Sequence, residues 1–111
     1  MPRVSRIQFI SRRVARLKET VQVDTQKIRE KLLNNLQMIF DNAVVLARGD
    51  VTVDGEELTL NERRDWTRVA AYTAQIIQSI AKGFDERQID VMLDELEKLV
   101  AEAKAKATIK H

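Results

Sequence analysis

Helix breakers are nearly absent from this 111-residue chain, whose one proline is Pro2 and whose three glycines are Gly49, Gly55 and Gly83. Proline removes a backbone donor, and glycine loses the most conformational freedom on folding. Stretches free of both can therefore stay helical for many turns. Between these markers the apolar residues recur at spacings of three and four, which draws a single stripe on a helix of 3.6 residues per turn. Val4, Ile7, Ile10, Val14, Leu17 and Val21 make the first stripe. Ile28, Leu32, Leu36, Ile39, Phe40, Ala43 and Ala47 make the second. Trp66, Val69, Ala70, Thr73, Ile76, Ile77, Ile80 and Phe84 follow, and then Ile89, Met92, Leu93, Leu96, Leu99, Val100 and Ala103. Four amphipathic stripes joined by short links predict an all-α protein, an up-down bundle of about four helices.

Local signals place the boundaries. Pro2 is tolerated at a helix start, and the first helix is expected to run from there. Asp24 reads as the N-cap of a second helix, with Val23 and Ile28 as its hydrophobic staple and Gly49 as its stop. The alternative is a three-helix chain in which one long N-terminal helix spans residues 3–48. The break is favoured because Thr20, Val21, Val23, Asp24 and Thr25 all have modest helix propensity. Residues 49–59 form a polar loop, where Val51-Thr52-Val53 and Leu58-Thr59-Leu60 suit a small hairpin about a type I′ turn at Asp54-Gly55. Thr59 with Glu62 makes a capping box for the third helix. Gly83 ends that helix, and Asp85 with Gln88 starts the fourth so soon that the two must be antiparallel. Residues 104–111 read as a frayed basic tail.

One domain over residues 1–111 fits this length, and 44% apolar with 32% charged residues is a composition that folds. Having no cysteine, the chain has no disulfide or thiolate metal site and suits a reducing, cytoplasmic setting. The longest apolar run, residues 43–47, is far below the ~20 residues of a membrane span, so integral membrane association is not expected. The acid-free, Arg-rich opening has the charge of a mitochondrial transit segment, but it carries a core-type stripe and only two serines.

The net charge of +2 conceals a strong asymmetry. Arg3, Arg6, Arg12, Arg13, Arg16 and Lys18 precede the first acid, whereas residues 85–102 carry seven acids against Arg87 and Lys98. On a helical wheel Arg6, Arg12, Arg13 and Arg16 oppose the apolar stripe, with Phe9 among them. Guanidinium groups bind phosphates through paired donors, and an aromatic beside them can stack on a base. These five residues are the candidate nucleic-acid-binding set. No helix-turn-helix, zinc-finger or RNA-binding aromatic signature accompanies them, so the expected binding is not sequence-specific. The expected function is that of a small non-enzymatic protein that binds nucleic acid or tethers to a complex handling it.

The alternative is an oligomeric assembly or accessory protein acting by protein–protein contacts. The basic helix would then pair with an acidic surface, such as the face of the fourth helix carrying Asp90, Asp94, Glu97 and Glu102. Met38 and Val45, seven residues apart and opposite the apolar side of the second helix, are the candidate interface of a homodimer. Attachment of the basic helix to anionic lipid is disfavoured, because Phe9 lies among the arginines instead of on the apolar side.

Neither a metal site nor a catalytic constellation is expected, and no cofactor. Asp50, Thr52, Asp54, Gly55 and Glu56 match part of a calcium loop, but Asn61 stands where the bidentate glutamate belongs. The one histidine is His111, the last residue, so no ordered Ser-His or Cys-His pair is available. Arg68, Tyr72, Gln75 and Ser79, with Arg64 and Gln78 at the rim, read as the wet side of the third helix, and Trp66 as a core residue.

Overall fold

The computed structural model describes residues 5–20, 26–83 and 85–109. Four helices carry it: α1 Arg6–Thr20, α2 Gln26–Arg48, α3 Leu60–Lys82 and α4 Glu86–Ile109. A two-stranded ribbon, β1 Thr52–Val53 and β2 Glu56–Glu57, lies between α2 and α3. Each helix packs on its neighbours in sequence and α1 closes against α4, so the bundle is a ring of antiparallel helices. A 23-residue helix such as α2 is about 34 Å long, which accounts for most of the 42 Å long axis.

The stripes read from the sequence form the core. Ile7, Ile10, Val14 and Leu17 of α1 are buried together with Leu32, Leu36, Ile39 and Ala43 of α2, Trp66, Val69 and Ile76 of α3, and Ile89, Leu93 and Leu96 of α4. Trp66 is fully buried, as its register with the apolar stripe requires. Residues 21–25 and 84 lie outside the described residues, and with them the Asp24 cap, Val21, Val23 and Phe84; the Ile28 side chain is likewise not described. The long-helix alternative is nonetheless excluded. Arg13 and Asn35 touch, whereas a continuous helix would hold residues 22 apart in sequence roughly 33 Å from each other.

The helix ends follow local chemistry. The capping box of α3 is complete: Glu62 N–H donates to Thr59 Oγ1 at 3.2 Å, and Thr59 N–H donates to Glu62 Oε1 at 2.7 Å. Asp85 Oδ1 accepts from the N–H groups of Arg87 and Gln88, capping α4. Gly49 has φ +73°, its N–H donates to the Leu46 carbonyl, and that of Asp50 donates to Val45, a Schellman end for α2.

Three boundaries differ from the sequence reading. α1 begins at Arg6, not near Pro2, because Ser5 Oγ accepts from Gln8 N–H at 3.1 Å and caps it. The hairpin's second strand is Glu56–Glu57, not 58–60. With Asp54 and Gly55 both at positive φ as a two-residue I′ turn, Val53 must pair with Glu56. Leu58 instead packs on the core with Val51 and Val53. The fourth helix also runs past residue 104, where the sequence reading began the basic tail, and α4 continues to Ile109. Lys106 Nζ lies 2.7 Å from Asp65 Oδ2 and fastens that last stretch to α3.

Candidate nucleic-acid interface

The two long edges of α1 carry different chemistry, and the helical repeat dictates which residue faces which neighbour. Ser11, Val14 and Lys18, at spacings of three and four, point to one side and meet α4. Phe9 and Arg13, one turn apart, point to the other side and meet α2.

On the α4 edge Lys18 Nζ lies 2.7 Å from Asp94 Oδ1 and 2.8 Å from Glu97 Oε1. Hydrogen bonds to Asp94 first and Glu97 second hold the Lys18 pKa above its ordinary value. All three side chains stay partly in water, so the cluster sets local charge more than it sets stability. An open groove of about 740 Å³ runs beside it, with Ser11, Val14, Val100, Ala101 and Ala105 among its lining residues.

On the α2 edge Arg13 Nη1 donates to Asn35 Oδ1 at 2.6 Å, and the Arg13 guanidinium lies 4.9 Å from the Phe9 ring centroid. That distance is within cation–π range. Phe9 is half-buried and packs against the core. Arg6, Arg12 and Arg16 are exposed. Among the described residues, Arg6 and Arg12 have no hydrogen-bond or ion-pair partner.

Met38 lies one turn beyond Asn35 on the same side of α2 and is 44% exposed, while Val45 is half-buried. Arg13 and Asn35 hold α1 antiparallel to α2, and this brings Met38 level with the Phe9–Arg13 turn. The bundle thus brings the candidate basic set and Met38 to one side of the molecule, and Val45 continues that side past the start of α1. Asn35 had no signal in the sequence beyond being a polar residue of α2, and only the antiparallel turn makes it a partner of Arg13.

The acidic loop folds as the β1–β2 ribbon, with Asp54 and Gly55 forming its turn. Among the described residues, no three carboxylate or histidine side chains converge as metal ligands. On α3, Arg68 and Gln75 are exposed, whereas Tyr72 packs half-buried against the core. No described helix is long and apolar enough to cross a membrane.

Comparison with known protein families, with characterised proteins and with solved structures finds no match, so the functional reading rests on these side chains.

Proposed function

We propose that this chain is a non-enzymatic, cytoplasmic helical protein that binds nucleic acid without strong sequence preference through Arg6, Arg12, Arg13 and Arg16 of α1. The observation that supports this reading is the division of labour on α1. Lys18 answers Asp94 and Glu97 on one edge, and the four arginines occupy the outer side and the opposite edge. A cluster of guanidinium groups set away from the acids of α4 presents a local positive field, and such fields attract polyanions even when the net charge is small. Phosphate contacts release condensed counterions, so binding falls steeply with salt.

The test is fluorescence anisotropy with labelled oligonucleotides over a salt series. Four phosphate contacts correspond to a log–log slope of about −3 to −4 on duplex. Arg6→Glu with Arg12→Glu removes binding while the helical circular-dichroism signal persists, since both side chains are exposed and make no hydrogen bond or ion pair with described residues. Wild-type binding by that double variant would sink the assignment.

A second reading has its own observation. Met38 is one of three large apolar side chains exposed among the described residues, and it lies beside the arginine edge. In this reading Met38 and Val45 seat a second copy, or an acidic protein surface meets the arginines around them. Light scattering decides it: a dimer that Met38→Lys dissociates supports self-association, and a monomeric mass across a wide concentration range removes it.

A further inference from the structure

Arg13, unlike the exposed Arg6 and Arg12, is held on two sides by described residues. One face of its guanidinium covers the Phe9 ring, and Nη1 is bound by Asn35 Oδ1. The Asn35 amide is itself oriented, because its Nδ2 donates to the Lys31 carbonyl at 2.9 Å and leaves Oδ1 as the end that meets Arg13. Phe9 in turn rests on the core. A free arginine loses side-chain entropy when it grips a ligand, whereas one already fixed loses less. No described residue uses the remaining N–H donors of the Arg13 fork.

We infer that Arg13 is a preset phosphate hook, that Asn35 and Phe9 are its positioning residues, and that the partner is gripped through its phosphodiester backbone without a base stacked on this face. The inference rests on the nucleic-acid reading above and deepens it. Phe9 is the aromatic nearest the basic set, yet its ring is shared between the core and Arg13. It therefore acts on the partner by holding the cation in place. Duplex carries charge more densely than a single strand, so backbone-only binding favours duplex and ignores base composition.

The test measures anisotropy on duplex and single-stranded oligonucleotides of equal length over a salt series, with urea midpoints for every variant. Asn35→Asp keeps an acceptor for Arg13 and strengthens the tie between the helices, but its carboxylate occupies the guanidinium charge. Its urea midpoint is expected to hold or rise, while affinity falls about tenfold and the slope shrinks by about one. Asn34→Asp adds the same charge at the neighbouring exposed position of α2 and is expected to cost less than about threefold, with the slope unchanged. Phe9→Leu keeps the apolar contact and removes the ring face, and it should weaken duplex and single strand by the same factor.

A purely structural role for the Phe9–Arg13–Asn35 cluster predicts wild-type affinity and slope for Asn35→Asp, and that result overturns the inference. A Phe9→Leu loss confined to single strands also overturns it, because it would mean that the ring stacks on bases. If the wild type binds neither form at low salt, the nucleic-acid reading fails and the inference falls with it.

Discussion

Tyr72 is the one tyrosine of the chain, so its ionisation can be followed directly in the tyrosinate absorbance. Burial against the core raises its pKa, and the nearby charge of Glu95 raises it further. The neutral form is thus favoured by folding. The stability tied to this group is complete below the unfolded-state value of about 10 and is lost as pH rises through the folded value. Tyrosinate should appear at higher pH in the native protein than in urea, and Glu95→Gln should move the native titration part of the way back. The elevated Lys18 pKa has the same sign, so its contribution also persists through neutral pH and fades only in strong alkali. Thr59→Ala breaks the capping box and should cost about 1 kcal/mol in a urea titration. That box and the Asp85 cap were readable in advance because each involves groups within three residues. The Ser5–Gln8 cap has the same form, but the nearby Pro2 drew the predicted start away from it. Arg12 and Arg13 are indistinguishable in sequence, and it takes a neighbour to hold one of them.

At the level of the elements, α1 is the shortest helix and is held by apolar contact more than by charge. Ile10 is fully buried, and Ile10→Ala should cost about 2–5 kcal/mol by chemical denaturation. Lys18→Met, which removes the contacts to Asp94 and Glu97, should shift the midpoint far less, since those carboxylates are about half exposed. The end of α2 depends on Gly49 in a left-handed conformation with Arg63 packed against it. A Cβ there would meet Arg63 Nε at 3.0 Å and disturb its hydrogen bond to the Ala47 carbonyl. Gly49→Ala is therefore expected to cost about 1–2 kcal/mol from the backbone alone, again read by denaturation. Periodicity located all four helices because a stripe extends over many residues and tolerates a mistaken end. The ribbon was less legible: Asp54-Gly55 announced the turn, but alternation over so few residues could not say which strand paired with it.

Across the whole molecule the central pair is α2 with α3, which share the most extensive interface. Two arginines bind this pair at opposite ends. Arg63 of α3 donates to the Ala47 carbonyl at the end of α2, and Arg29 of α2 donates to the Ile80 carbonyl at the end of α3. Each cation meets the negative end of a helix dipole, where a positive charge is favourable. Amide hydrogen exchange should therefore be slowest around Leu36, Ile39, Val69 and Ile76 and faster throughout α1, whose 15 residues reach only one flank of that pair. Uniform exchange across all four helices would contradict this order.

The sequence by itself determined the number and class of the helices, most of the buried side chains and the local caps. Those depend on periodicity and on groups a few residues apart, which the chain states in order. Only the tertiary structure decided how the charges on α1 are shared. Packing α1 between α2 and α4 gave Lys18 to the acids of α4 and Arg13 to Asn35, and it brought Met38 alongside the arginines. Each of these pairings joins residues far apart in sequence, so it exists only once the helices have turned back on one another.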